Sequence, residues 1–366
     1  DQRNIWTMSE LNPSQKEAVL HGGGPLLILA GAGTGKTRVL THRIAHLIQS
    51  GVLPFQIIAV TFTNKAASEM RERVLRLVER EVWVSTFHAT GLKMLRSDGP
   101  LIGIPRNFLV YDDHDQLVII KECLQELGLN EKHFNPKGLR ESISRAKDNL
   151  QGPKEIKSNA LSSSDQWEDI LAKVYELYEK KLIQLGGLDF GDLIFKTVRL
   201  LQEHPQILEN YQERFKYILI DEYQDTNRAQ YHLIKLLASK YRNLTVVGDP
   251  DQSIYAWRGA DIRNIMDFET DYQNCKRITL DENYRSTTKI LDAANHLIDR
   301  NFNRKPKSLW SNKGEGEPLY LYEARDEKDE ASFVVKEIME IQRKNITLKD
   351  IVIFYRTHAQ SRVFED

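Results

Sequence analysis

The chain has 366 residues, 41% of them apolar and 28% charged, with a formal net charge of −1. That length exceeds one ordinary hydrophobic core and points to two or three domains, while the near-neutral balance supplies no global basic field to attract nucleic acid, so any such partner must be held by local features. No apolar run reaches about 18 residues and no signal-peptide pattern opens the sequence, which excludes membrane and secretory classes; Cys123 and Cys275 lie far apart in no metal-ligand spacing, so a reducing, cytoplasmic setting is expected.

In chain order, the first predicted element is the apolar run at 26–29, short and flanked by glycine, which reads as a buried strand. Gly31, Gly33 and Gly35 follow, then Lys36 and Thr37, after which Val39, Leu40, Ile44, Leu47 and Ile48 recur at helical spacing. A glycine loop opening onto a helix N-terminus offers unpaired N–H groups and a positive dipole to a phosphate. Lysine and threonine at that point complete a P-loop, the lysine reaching the β/γ-phosphates and the threonine hydroxyl a Mg²⁺ ion. Ala30 stands where the pattern GxxxxGK[ST] has its first glycine, a small departure because three glycines still shape the loop. The competing reading is a flexible glycine turn with no ligand.

Further strands are predicted at 57–62 and 82–87, and the pattern resumes at 217–220 and 244–247. The run at 217–220 ends in Asp221 and Glu222. Beside a P-loop, such acids suit a Mg²⁺ ligand reached through water and a residue that orients or deprotonates the attacking water. Lys36 and Asp221 stand 185 positions apart, more chain than a compact P-loop core of a few βα units needs, and the text from 89 to 190 is mostly helical. Within it Asp165 precedes Glu168 as a capping pair, and Leu171, Val174, Tyr175, Tyr178 and Leu182 make one apolar stripe whose tyrosines read as core. The expected architecture is a helical insertion inside an α/β nucleotide-binding domain. From about residue 276 onward new strands are predicted at 277–280, 318–324 and 350–356, separated by helical text, with Arg304, Lys305 and Lys307 in what reads as a solvated connection.

Polar groups and rings cluster after several of these strands. Phe62, Thr63 and Asn64 follow one; Thr86 and His88 close another; Tyr255, Trp257 and Arg258 come just after Gln252. Hydroxyls and amides suit a sugar-phosphate backbone and rings suit base stacking, although a loop tryptophan alone more often packs than stacks. His42 and His46 share a helix face, but Arg43 occupies the position where a zinc-protease helix needs glutamate. The acidic runs at 112–115 and 325–330 lack the glycine and final glutamate of a calcium loop and read as helix starts and solvated faces.

Taken from "LNPSQKEAV" at 11–19 to "IVIFYRTHAQSR" at 351–362, these signatures stand in the order found in superfamily 1 DNA helicases of the UvrD/Rep/PcrA type, which the chain resembles over nearly its whole length. The resemblance implies a P-loop RecA-like parallel-sheet domain in two segments, 1–88 and 191–276, with a helical insertion at 89–190 and part of a second RecA-like domain at 277–366. It implies an ATP-binding set of Gln15, Gly33, Thr34, Gly35, Lys36, Thr37, Arg38, Tyr284 and Arg285, with Gln15 reading adenine, Arg38 and Tyr284 flanking the base, and Arg285 reaching the γ-phosphate. Thr37 and Asp221 are the implied Mg²⁺ ligands; Lys36, Asp221, Glu222, Gln252 and Arg285 are the implied catalytic residues, Gln252 as γ-phosphate sensor. Phe62, Thr63, Asn64, Thr86, His88, Tyr255, Trp257 and Arg258 fall where the family touches single-stranded DNA.

The implied activity is ATP-driven 3′ to 5′ translocation on single-stranded DNA with duplex separation, on duplexes carrying a single-stranded 3′ tail and alongside repair or replication accessory proteins. The family pattern continues beyond residue 366 with late motifs supplying a threonine, a glutamate and a second arginine, so the expectation is a fragment of a longer helicase, weakly active alone. The rival readings are an ATP-regulated single-strand binder that does not unwind, and a P-loop enzyme acting on a small molecule.

Overall fold

The computed structural model describes residues 10–163, 166–302 and 304–365. It falls into two compact units, 1–314 and 315–366. The strands of the first unit, in chain order, are β1 (Leu26–Ala30), β2 (Ile57–Thr61), β3 (Trp83–Thr86), β4 (Leu109–Tyr111), β5 (Gly187–Asp189), β6 (Tyr217–Ile220), β7 (Leu244–Gly248) and β8 (Lys276–Leu280). Six of them form one parallel sheet in the order β3-β2-β6-β7-β1-β8. The runs predicted at 26–29, 57–62, 82–87, 217–220, 244–247 and 277–280 are these six strands, each within one residue at either end. The last of them, β8, lies beside β1 with Ile28 opposite Ile278.

All five residues of β1, β2 and β7 are buried, because a parallel sheet is covered on both faces and its strands must be apolar throughout. Alternation sorts β1 between the two cores. Leu27 and Leu29 pack with Ile194, Val198, Leu233 and Leu237 on one face; Leu26, Ile28 and Ala30 pack with Val39, Leu40, Ile44 and Met70 on the other. The covering helices are α1 (Pro13–Leu20), α2 (Lys36–Gln49), α3 (Asn64–Val78) and α4 (Phe87–Asp98), then, beyond the insertion, α9 (Phe190–Glu203), α10 (Pro205–Arg214) and α11 (Arg228–Ala238).

The insertion is built from α5 (Asp113–Glu126), α6 (Pro136–Asp148), α7 (Pro153–Ser163) and α8 (Gln166–Gln184) around its own apolar cluster. The stripe of α8 is core as predicted, with Tyr175 and Tyr178 fully buried in it. The predicted cap residue Asp165 lies outside the described residues. The acidic run at 112–115 starts a helix as read: Asp112 caps α5, accepting from the N–H groups of His114 and Asp115. Two parallel three-residue strands, β4 and β5, were not predicted in this helical text; so short a run shows no readable alternation.

Lys147, with no exposed surface, ties the insertion to the sheet domain. Its ammonium lies 2.7 Å from Glu179 of α8, 2.8 Å from Asp189 of β5 and 2.9 Å from Asp192 of α9. Three carboxylates hold its pKa well above the ordinary lysine value against the opposing effect of burial.

In the second unit the helix Glu327–Arg343 is capped by Asp326, and Tyr322 stacks on Phe333 at 3.9 Å between ring centroids. The strands predicted at 318–324 and 350–356 do not form among the described residues. Both runs are apolar, but a strand exists only as one side of a ladder, and neither run acquires a partner there.

Candidate nucleotide and nucleic-acid site

The predicted site residues converge at one edge of the sheet. The phosphate loop leaves β1, Phe62 and Thr63 follow β2, Thr86 ends β3, Asp221 and Glu222 follow β6, Gln252 follows β7, and Tyr284 and Arg285 lie shortly after β8. All are at the carboxyl ends of parallel strands, where open α/β sheets bind their ligands.

Gly33 and Gly35 adopt φ of +69° and +90°, a region open to glycine and costly for other residues. A Cβ at Gly35 would stand 2.8 Å from Gln15 Nε2, and one at Gly33 would stand 2.6 Å from Asn283 Nδ2. The loop is therefore clasped from both sides, and its N–H groups together with the start of α2 form an anion cradle. Lys36 Nζ donates to both oxygens of Glu222, at 2.9 and 2.8 Å. Glu222 itself sits at φ +50°, a strained conformation of the kind stored at functional sites.

Mg²⁺ fits this set of donors. Asp221 is 6% exposed and accepts the Glu222 N–H at 3.0 Å. Burial, followed by the adjacent Glu222 charge, pushes its pKa up to about 6; burial does the same for Asp225, also to about 6. Three acids gathered around Lys36 leave an excess of negative charge, and the Thr37 hydroxyl with the Asp221 carboxylate are the hard oxygen donors such an ion takes.

Beside Gly35, Gln15 is buried, donates to Thr34 O at 2.9 Å and closes a capping box with Asn12 at the start of α1. Asn12 Nδ2 in turn donates to the Tyr284 hydroxyl at 2.8 Å and to Glu282 at 3.0 Å. Residues 272 positions apart are thus joined at the mouth of the phosphate loop. Arg38 pairs with Glu10. Asn283 holds the turn before Arg285, its Oδ1 accepting the Arg285 N–H at 2.8 Å.

The same edge carries the aromatic groups. A cleft of about 560 Å³ is lined by Phe62, Thr63, His88 and Tyr255 together with Glu222 and Gln252. Trp257 is 70% exposed, and the Arg258 guanidinium lies 4.6 Å from its ring centre and 5.4 Å from that of Tyr255. Thr63 and Thr86 cap α3 and α4 by accepting from the N–H groups of Ala66 and Ala89; each hydroxyl keeps its proton to donate. Asn64 is exposed in the first turn of α3. Burial lowers the pKa of His88.

Sequence reasoning missed Phe190. This ring, half exposed at the start of α9, lies 5.8 Å from His88 edge to face and lines the same cleft. It follows β5, the strand that was not predicted, so nothing marked it as belonging with the others. Asp148, from the end of α6, reaches the cleft too and accepts from Asn227 Nδ2 at 2.8 Å; burial and the neighbouring Asp189 push its pKa up to about 7.

Sheet, phosphate loop and paired acids define a RecA-like P-loop nucleotide-binding protein. Residues 11–273 match the UvrD/REP helicase N-terminal domain and residues 278–366 the UvrD-like helicase C-terminal domain, and the chain belongs to the UvrD/REP helicase family. It is 50% identical over 363 residues, 98% of its length, to the ATP-dependent DNA helicase PcrA of Staphylococcus aureus, and equally to that of Staphylococcus epidermidis. It spans about half the length of these curated relatives, 49% in each case.

Proposed function

We propose that this chain is the ATP-binding and strand-gripping part of an ATP-dependent DNA helicase that moves 3′ to 5′ along single-stranded DNA and separates duplexes carrying a single-stranded 3′ tail. One observation carries the reading: Glu222 and Gln252 line the same cleft as Phe62, His88, Phe190 and Tyr255. Groups that would sense the γ-phosphate and groups that would hold a strand thus line one cleft. A change at one end is mechanically available to the other.

In this reading Lys36 binds the β/γ-phosphates, Gln15, Arg38 and Tyr284 hold the base, and Glu222 takes the proton of the attacking water. Gln252 and Arg285 grip the γ-phosphate. Bound Mg²⁺, held by Thr37 and Asp221, would neutralise charge on the phosphate oxygens. Trp257, Tyr255, Phe190 and Phe62 offer stacking faces that tolerate any base, while Thr63, Asn64, Thr86, His88 and Arg258 meet the sugar-phosphate backbone. The segments 1–88 and 191–276 form the first motor domain in this scheme, 89–190 its insertion, and 277–366 part of the second, although its first strand, β8, completes the sheet of the first beside β1. The change from one family match to the next between residues 273 and 278 supports that last boundary. A cytoplasmic setting and accessory partners from repair or replication belong to the same reading.

The test is ATP turnover with no nucleic acid, single-stranded DNA, duplex DNA or RNA, alongside unwinding of a 3′-tailed duplex. Stimulation by single-stranded DNA is expected. Nucleotide-dependent strand affinity with flat turnover would instead define an ATP-regulated binder, and indifference to nucleic acid would overturn both.

A further inference from the structure

The basic cluster after the helix Thr288–Ile298 reads in sequence as a solvated connection, but its charged side chains are mostly covered. Arg304, Lys305 and Lys307 are 10%, 12% and 3% exposed. Lys307 bridges the carboxylates of Asp249 and Asp251, which flank Pro250 directly after β7. Arg304 lies behind it, bonded to Asp251 at 3.1 Å and to the Lys307 carbonyl at 2.9 Å. Farther along the same segment, Leu309 occupies the space beside Gly31, where an added Cβ would lie 2.3 Å from its methyl. Residues 304–310 therefore touch both sides of the phosphate site.

The bonds continue inward. The second oxygen of Asp249 accepts from Gln252 Nε2 at 2.5 Å, and the Asp249 N–H donates to Gln224 Oε1 at 3.0 Å. Gln224, 1% exposed, donates from Nε2 to Glu222 at 2.9 Å, and Glu222 holds Lys36. Lys307 and the Asp251 N–H share Oδ1 of Asp249, leaving Lys307 as its side-chain partner, while Oδ2 aims Gln252. Two nearby carboxylates in a buried turn repel unless a cation lies between them.

We infer that Lys307 is a positioning residue: by fixing Asp249 it sets the orientation of Gln252 and, through Gln224, that of Glu222. The inference rests on the ATP-hydrolysis reading above and names the groups that tune it. Loss of Lys307 leaves Gln252, among the described residues, as the remaining side-chain donor to an uncompensated Asp249 carboxylate, and so withdraws its amide from the γ-phosphate.

The experiment compares the affinity of the chain for a non-hydrolysable Mg-ATP analogue with that for Mg-ADP, in wild type, Lys307→Met, Lys307→Arg, Gln252→Ala and the Lys307→Met, Gln252→Ala double variant. Lys307→Met is expected to lower the ATP-over-ADP preference roughly 10-fold, the scale of one hydrogen bond to a charged group. Gln252→Ala should match it, the double variant should be no worse, and Lys307→Arg should restore the preference. If Lys307→Met does not fold, Lys307→Gln combined with Asp251→Asn removes one buried charge of each sign and reads the same ratio. Equal loss of both nucleotides, or effects of Lys307 and Gln252 that multiply, would reduce Lys307 to a structural ion pair and overturn the inference. A wild-type chain that binds neither nucleotide would instead overturn the ATP reading on which it rests.

Discussion

The ammonium of Lys36 lies 2.8 Å from the carboxylate of Glu222, so the cation of the phosphate loop and the acid after Asp221 neutralise one another. A phosphate entering the loop must compete with that carboxylate for the lysine. Glu222→Gln is therefore expected to bind Mg-ATP at least as tightly as wild type while turnover falls by about 10²–10⁴-fold, the contribution of a positioned general base. Lys36→Ala should lose both binding and turnover. Equilibrium titration with a fluorescent nucleotide, beside a phosphate-release assay, separates the two, and brisk hydrolysis by Glu222→Gln would remove its assigned role.

On the strand side, Trp257→Ala should cost about 1–3 kcal/mol of single-strand affinity, the value of one stacked base. Phe190→Ala should cost a similar amount, with nucleotide binding intact in both. Fluorescence anisotropy of a labelled oligonucleotide measures this, and repeating it across salt should give a slope of about −0.7 per phosphate contacted. Wild-type affinity in a folded Trp257→Ala variant would return that ring to a surface role.

Asp148 makes the cleft sensitive to pH. Its carboxyl has an ordinary pKa of 3.8 and is pushed up to about 7 in the fold. Unfolded chains therefore release this proton first as pH rises, and stability falls between about pH 4 and pH 7. Asp148→Asn keeps an acceptor for Asn227 and should flatten that decline in urea titrations. It should also strengthen single-strand binding at pH 8 more than at pH 6, because only the ionised carboxylate repels phosphate. An unchanged pH profile would show that Asp148 is ionised throughout.

Lys147→Met is expected to destabilise the chain by about 3–5 kcal/mol, since it leaves buried carboxylates without their cation. Chemical denaturation should show a lower midpoint. The insertion should loosen first, because Lys147 on α6 joins Glu179 of the insertion to Asp189 and Asp192 next to the sheet domain.

Much of the site was legible because its chemistry is local in sequence. The glycines, Lys36 and Thr37 lie within a few positions of one another, Asp221 and Glu222 are consecutive, and each group follows an apolar run long enough to read as a strand. Phe190 and Asp148 were not legible. One follows a three-residue strand and the other ends a helix of the insertion, and only folding brings them to the cleft that holds Phe62 and Tyr255.

The sequence by itself determined the six strands of the main sheet, where the phosphate loop and its acids stand, and that a helical body interrupts the sheet, because apolar periodicity and glycine placement act over a few residues at a time. Tertiary structure alone decided three things. It placed β8 beside β1, denied the runs at 318–324 and 350–356 a ladder partner among the described residues, and turned Lys305 and Lys307 from an apparent solvated connection into mostly covered partners of Glu269, Asp249 and Asp251. A strand needs a neighbour and a buried cation needs a counter-charge. In both cases the partner lies tens to hundreds of positions away, where no local pattern reaches.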